Sequence, residues 1–330
     1  MKRCLAGIGL ILALLPAHRA LAQEKLRVGL SSVSGLHAAL WVAEEKGLFR
    51  KQGVDPEVIV TGQGGNAGIS ALLANDIQIV NSAGDVLVAA ALHGGDTVMI
   101  ASVVNKGLQR LVTKPEIKNP ADLKGKRVGV TRIGAISHSV LLMMLQRWRM
   151  TANDIQILQL GSSPNMLASL DKGGVDGAVL TIPSMFVAED RGYRVLLDMG
   201  DTDIYYLHTM VATTRQYIKN NRDKVLRFLR GFVGGIAFVK QNKKDSVEIV
   251  KKKLRLGPEQ TQNLERSLDL LTAKYYESIP YPSLRGVETV LGFVEKDNPK
   301  AKTADPKSFV DDSLLREIEQ SGFVKTLYLR

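Results

Sequence analysis

The sequence predicts an α/β protein built as two lobes joined by two crossing segments. Three observations carry that expectation. Short apolar runs alternate with stretches of helical periodicity at close intervals, as in a parallel α/β sheet. Each predicted strand ends in a small, polar or glycine-rich loop that opens a helix. One part of the chain also echoes another without a gap: Leu72-x-x-Asn-x-Ile-Gln78-x-Val80 overlays Leu170-x-x-Gly-x-Val-Asp176-x-Ala178.

The first lobe starts at residues 26–30, which read as a short buried strand. Residues 31–35 form a polar loop. Residues 36–46 carry apolar side chains at helical spacing (Leu36, Ala39, Leu40, Val42, Ala43), with Gly47 placed to stop the helix. Residues 56–60 read as a second strand, and the loop 61–66 opens a helix that runs to Leu73. A third strand is expected over 77–80 and a loop over 81–84. A strongly apolar helix over 85–92 and a strand over 96–104 follow. Loops at the carboxyl ends of parallel strands share one edge, and ligands bind at that edge.

Residues 109–113 read as the first crossing. Residues 119–123 form a short helical turn. The pattern then repeats: strand 126–130, loop 131–137, helix 138–148; strand 155–160, loop 161–165, helix 166–171; strand 175–180, then loop 181–183 into another helix. Residues 205–213 read as the second crossing. Helices over 216–239, 246–254, 259–275 and 308–321 look like a return to the first lobe. The expected boundaries are a leader over 1–22, lobe 1 over 23–112, lobe 2 over 113–204, and the return to lobe 1 over 205–330. Two crossings between facing loop edges make a hinge and a cleft.

Lys2 and Arg3, the unbroken apolar run 5–15, Pro16 and the small-residue pair around Leu21 occur in the order of a secretory signal, with cleavage expected after Ala22. The run is shorter than the roughly 20 residues that span a bilayer. The mature chain is therefore expected in the periplasm. The single cysteine, Cys4, lies in the leader, so a disulfide, a thiolate metal site and a cysteine nucleophile are not expected. Net charge is +11, of which Lys2, Arg3 and Arg19 belong to the leader. The densest positive run, 240–255, reads as a solvated helix face. It lacks the interleaved aromatic residues of a nucleic-acid surface, and no nucleic-acid partner is expected.

Gly62-x-Gly64-x-x-Ala67 matches a relaxed dinucleotide fingerprint, and Asp85 lies near the distance of a ribose-binding acid. The motif follows the second predicted strand rather than the first. A glycine loop that lets backbone amides approach a small ligand is the simpler reading. The chain has no Gly-x-Ser-x-Gly elbow and no His-Glu-x-x-His, and its five histidines show no metal spacing. No catalytic residue, metal or cofactor is assigned, and the chain is not expected to be an enzyme.

Several segments together resemble one family. They are Ala43-Glu-Glu-Lys-Gly-Leu-Phe49 with Gly53-Val54; Gly64-Gly65; Ala121-Asp-Leu-Lys-Gly-Lys-Arg-Val-Gly-Val130; Leu170-x-x-Gly173-x-Val175-Asp176; and Val225, Arg227 and Phe228. Along the whole mature chain they resemble the periplasmic substrate-binding proteins of ABC importers, in the nitrate, taurine and alkanesulfonate family with its thiamine-precursor-binding relatives. The first-lobe copy departs from the usual pattern at Asn75 and Gln78, which shape a turn. The resemblance implies a type II-like periplasmic binding protein fold, a small anionic sulfonate- or carboxylate-type ligand, and a permease in the inner membrane as partner to a monomer. A pyrimidine-type vitamin precursor is the rival ligand; a secreted enzyme or a sensor on the same fold is the rival class. One relative of this fold makes the thiamine pyrimidine with the help of a cysteine cluster for iron, which a chain without mature cysteine does not support.

In such proteins, backbone amides at helix starts and a few side chains fix the ligand, and the positive helix ends favour an anion. On this logic Ser34, Gly64, Gly65, Asn66, Ser82 and Gly84 line the first edge. Thr131, Arg132, Gly134, Ser137, Ser163, Asn165 and Pro183 line the second. Arg132 has two readings: a fork onto a sulfonate, carboxylate or phosphate, or a rim charge paired with a surface acid. His37 either donates to the ligand or caps and packs its helix. Trp41 and His138 read as structural.

Overall fold

The computed structural model describes residues 24–62, 65–295 and 298–329. The leader, its cleavage site and Gly64 lie outside the described residues. The strands are β1 (Glu24–Leu30), β2 (Val54–Val60), β3 (Ile79–Ser82), β4 (Val98–Lys106), β5 (Arg110–Thr113), β6 (Arg127–Val130), β7 (Gln156–Gln159), β8 (Gly177–Leu180), β9 (Arg194–Asp198) and β10 (Tyr205–Thr213). They form two five-stranded mixed sheets, ordered β2-β1-β3-β10-β4 and β7-β6-β8-β5-β9. In each sheet the first three strands are parallel, and the fourth (β10 or β5) runs against both of its neighbours.

The internal echo marks equivalent places in the two sheets. The helix α3 (Asn66–Leu73) turns into β3, and α6 (Ser163–Asp171) turns into β8. Both turns pass through the left-handed region, at Asn75 (φ 60°) and Gly173 (φ 72°). The next strand then docks with the same bond: Gln78 N–H donates to the Arg27 carbonyl at 3.0 Å, and Asp176 N–H to that of Arg127 at 2.8 Å. Asn75 is tolerated where the echo has glycine because asparagine is among the few side chains that enter this region.

The remaining helices are α1 (Ala38–Glu45), α2 (Leu48–Lys51), α4 (Gly84–Leu92), α5 (Ile136–Arg147), α7 (Ser184–Asp190), α8 (Arg215–Gln241), α9 (Lys243–Leu254), α10 (Thr261–Leu270), α11 (Leu284–Val294), α12 (Ser313–Gln320) and α13 (Phe323–Tyr328). Alternation along β1 sends Leu26, Val28 and Leu30 into one core with α1 and α8, where Phe49, Phe228 and Phe232 stack. A second core holds Ile77, Val80, Leu87 and Val88 with Leu141, Met144 and Val179, so it joins residues of both sheets. Among the described residues, no helix is long and apolar enough to cross a membrane.

Several expected boundaries move. Both segments read as crossings are strands: β5 sits inside the second sheet and β10 inside the first. The chain passes between sheets over 107–109 and again over 199–204. β3 extends through Asn81 and Ser82, which were expected in a loop. Asn81 pairs with Leu30 on one side and Val211 on the other, and Ser82 pairs with Met210. β9, a short edge strand with Arg194 and Asp198 at its ends, and α11 have no counterpart in the sequence reading. The expected helix 308–321 divides into a 3-10 turn (Pro306–Phe309) and α12. Residues 259–275 are continuous but end in a π-helical turn, Leu271–Tyr275. Its Tyr275 hydroxyl donates to the Gly107 carbonyl of the first crossing at 3.3 Å.

Candidate functional site

The carboxyl ends of the parallel strands carry the candidate site. β1 leads through loop 31–34 into a 3-10 turn (Gly35–His37) and α1; Ser34 caps the turn, its Oγ accepting from Leu36 N–H at 3.4 Å. His37 is 2% exposed and its ring meets Trp41 edge-on at 5.7 Å. It makes no side-chain cap to α1. Its Nε2 lies 3.3 Å from Ser32 Oγ, while Nδ1 has no partner within the protein. Burial pushes the imidazole down to about 4, so it is neutral near pH 7, with the unpartnered nitrogen left to meet something else.

On β3, the side chains of Asn81 and Ser82 are fully buried. Neither Asn81 Oδ1 nor Nδ2 has a hydrogen-bond partner within the protein, and the same holds for Ser82 Oγ. Ser82 lies against the start of α3: a Cβ on Gly65 would sit 2.8 Å from Ser82 Oγ, and Gly65 has φ of 84°. Only glycine meets both conditions there. Asn66 opens α3 and is exposed. Gly84 opens α4, packed so closely on β10 that a Cβ would stand 2.2 Å from Leu207 Cβ. Next to it, Asp85 Oδ2 accepts from the Tyr206 hydroxyl at 3.1 Å, and Oδ1 accepts from Val86 N–H at 2.8 Å.

In the second sheet, loop 131–135 folds on itself. Thr131 N–H donates to Ser137 Oγ at 2.9 Å, and the two hydroxyls meet at 2.7 Å. Gly134 N–H donates to His138 Nδ1 at 3.2 Å, a structural role for that imidazole. Arg132 is exposed and makes no ion pair among the described residues, so the surface-acid reading finds no partner in the structure. Ser163 Oγ accepts from Thr181 N–H at 3.2 Å, and the Thr181 hydroxyl is buried with no partner. Asn165 is exposed. Its N–H bonds the capping Ser162 at 3.3 Å. Pro183 follows a cis peptide bond and precedes α7.

The two edges meet. Tyr206, on a strand of the first sheet, lies beside the Ser139 hydroxyl of α5, which follows the second sheet's β6. At the crossings, Gln109 Nε2 lies 2.8 Å from His208 Nε2, and His208 Nδ1 lies 2.8 Å from Thr209 Oγ1, all buried. Burial, with the nearby His37 second, lowers the His208 imidazole to about 4. The sequence reading missed Asn81, Thr181, Tyr206, Ser139 and His208. Asp85 was weighed only as a ribose partner. The glycine loop it was paired with follows β2, an edge strand, and Asp85 bonds Tyr206. One signal was available for Asn81: a polar pair ending an apolar strand is out of place unless it is used.

The chain belongs to the NMT1/THI5-like family, whose model matches residues 35–246. YtlA of Bacillus subtilis (strain 168) is 24% identical over 255 residues, 75% of this chain and 76% of that protein. Among solved structures, the periplasmic aliphatic sulphonate-binding protein SsuA of Escherichia coli superposes with a TM-score of 0.71. It is 20% identical and covers 84% of this chain and 88% of its own. The periplasmic nitrate-binding protein NrtA of Synechocystis PCC 6803 gives 0.68, at 14% identity over 91% and 89%. These likenesses establish the periplasmic binding protein fold expected from the sequence.

Proposed function

We propose that this member of the NMT1/THI5-like family is the solute-binding component of an ABC importer. It is exported to the periplasm, captures a small organic anion between its lobes, and presents the closed form to a permease of the inner membrane. One observation carries the reading. Buried polar atoms without partners lie at the carboxyl edges of both sheets: His37 Nδ1, Asn81 Oδ1 and Nδ2, and Ser82 Oγ on one, Thr181 Oγ1 on the other. Buried polar groups are normally hydrogen-bonded, and a solute held between the edges supplies the partners. Helix starts at both edges favour negative charge. Structural neighbours that bind aliphatic sulphonate and nitrate agree with an anion. Closure is a population shift, because the solute stabilises the state in which it touches both lobes.

The test is a thermal-shift screen of the mature protein against sulfonates, aliphatic and aromatic carboxylates, nitrate and pyrimidines. A ligand at 100 times its Kd adds about 2.7 kcal/mol of stability. Arg132→Ala should weaken the responding anion by the loss of a charge-assisted contact, about 1.5–3 kcal/mol. A change under twofold removes Arg132 from the anchor role. A second reading rests on Asn81, whose free donor and free acceptor match the edge of a neutral nitrogen heterocycle; a response to pyrimidines alone selects it. Turnover of any ligand, followed by mass spectrometry, would move the protein to the enzyme class.

A further inference from the structure

We propose that the π-helical turn Leu271–Tyr275 is a post for the hinge, and that Tyr275 is the positioning residue against which the second lobe turns. The proposal rests on the solute-binding reading above and adds to it the element that fixes the angle between the lobes.

The turn belongs to the first lobe. Its closing bond runs from Tyr276 N–H to the Leu271 carbonyl at 2.7 Å, and Leu271 is buried in the same core as β1, α1 and α8. Lys240 of α8 donates to the carbonyls of Thr272 and Tyr276 at 3.3 and 2.8 Å. The Tyr276 hydroxyl donates to the Leu36 carbonyl at 3.1 Å. A π turn inserts an extra residue into a helix, often where function needs it. Here the turn is tied down on several sides, and its last side chain meets the crossings.

Tyr275 touches both of them. Its hydroxyl donates to the Gly107 carbonyl at 3.3 Å, where the chain leaves β4 of the first sheet. Gly200 lies on the other crossing, in the 3-10 turn Met199–Asp201 that follows β9 of the second sheet. A Cβ on Gly200 would stand 2.2 Å from the Tyr275 hydroxyl oxygen, and a Cβ on Gly107 would stand 2.7 Å from Met199 Cβ. The two crossings therefore lie against each other and against one phenol. Lys274, the preceding residue, reaches the same turn, its Nζ 2.8 Å from Asp201. Burial, with the nearby Asp198 second, pushes the Tyr275 phenol up, so its hydroxyl stays a donor.

These contacts sit at opposite ends of the hinge. Gly107 is at the first-lobe end of its crossing and holds the phenol in place. Gly200 is at the second-lobe end of the other, so rotation of the lobes moves it against the phenol. A few element-terminal residues absorb the backbone change in a hinge, and Tyr275 limits how far Gly200 can travel.

Interlobe distances in the mature protein, measured without any solute, test this. Lys51 of α2 and Lys172 after α6 are exposed and belong to different lobes. Cys4 lies in the expected leader, so Lys51→Cys with Lys172→Cys places one spin label on each lobe for pulsed dipolar spectroscopy. Gly200→Ala should deplete the wild-type distance roughly tenfold, because its methyl strikes the hydroxyl. Adding Tyr275→Phe, which removes the atom struck, should restore that population to within about twofold. Tyr275→Leu, which takes the post away and adds no bulk, should widen the distribution about twofold. Gly200→Ala that lowers Tm but leaves the distances unchanged overturns the proposal, because the contact is then packing alone. A shift that Tyr275→Phe does not reverse overturns it too. Should Gly200→Ala not fold, an unchanged width in Tyr275→Leu is decisive against it. A wild-type distance that no solute of the thermal-shift panel alters counts against the solute-binding reading, whereas the solute-free distances of the variants decide the post, so the two fail separately.

Discussion

The ion-pair cluster flanking the cleft should act as a latch, and Arg266→Ala is the variant that opens it. Arg266 lies on α10, which packs against α9 and the turn before α1 on the first-sheet side. Its Nη2 lies 2.7 Å from Glu189 and its Nη1 2.6 Å from Asp190, both on α7, which follows the second sheet's β8. Its guanidinium stands 4.4 Å above the Phe186 ring of the same helix. Glu189 in turn holds Arg110 Nη1 at 2.5 Å, and Arg110 Nε holds Asp198 at 2.6 Å. The Arg266 and Glu189 side chains are about one-third exposed, and Asp190 is half exposed. The two ion pairs are therefore worth about 1 kcal/mol together, and the ring contact about 0.5–1 kcal/mol more. On the proposed hinge closure these contacts form only in the closed arrangement, to which they contribute about 1.5–2 kcal/mol. Removing them should weaken solute affinity roughly 10- to 30-fold, mostly through faster dissociation. Calorimetry at 50 and 500 mM NaCl is the assay, because salt screens the ion pairs in wild type and has little left to screen in the variant. An affinity within twofold of wild type at low salt would refute the latch.

Two further outcomes follow from particular contacts. Gly84→Ala puts a methyl 2.2 Å from Leu207 Cβ and 2.9 Å from its carbonyl; overpacking of this kind costs about 1–3 kcal/mol, seen as a lower Tm, and an unchanged Tm would mean that the start of α4 moves off Leu207 without cost. His37 and His208 are both lowered to about 4. Each then contributes stability that is complete above the unfolded imidazole pKa of about 6.5 and is lost as pH falls toward 4, because the unfolded chain takes up the proton first. Denaturant titrations from pH 7 to 4 should show that decline, and His208→Gln should flatten part of it.

The fold was legible because the chain repeats one physical pattern. Leu26, Val28 and Leu30, and again Val128 and Val130, alternate as strands whose apolar side chains are buried. Loops that end those strands carry Ser, Gly, Thr and Asn, and helical spacing resumes after each. What was not legible has local causes. Arg194 and Asp198 bracket β9, and charged ends disguise an edge strand that lies on Arg110 and its neighbours. Gly286 and Gly292 interrupt α11, although Val287, Val290 and Leu291 keep its buried stripe. The crossings were misplaced because β5 and β10 are extended segments in either case. Only pairing partners, which lie far away in sequence, tell a strand from a connector. At the site, loop logic found the backbone positions at helix starts but placed Asn81 and Ser82 outside the sheet. Thr181, Tyr206 and Ser139 gain meaning only once the two lobes are brought together.

The polarity of the buried site constrains how the protein works. Leaving a buried polar group without a partner costs about 1–3 kcal/mol. Five such atoms, at His37, Asn81, Ser82 and Thr181, would together weigh about as much as a domain's net stability of 5–15 kcal/mol. On the proposed reading, that cost falls on a closed cleft with nothing in it and vanishes in two states: an open cleft, where solvent satisfies the groups, and a closed cleft that holds a solute with matching donors and acceptors. The latch at Arg266 pulls toward closure, and the unpartnered atoms oppose it until a solute arrives. Asn81→Leu, which removes two of the five atoms at similar volume, should therefore favour the closed form without ligand while weakening the solute that Asn81 serves. Scattering and calorimetry on that one variant report the two effects separately. A variant that closes no more readily than wild type, yet loses affinity, would show that the empty cleft is held open by something other than these groups.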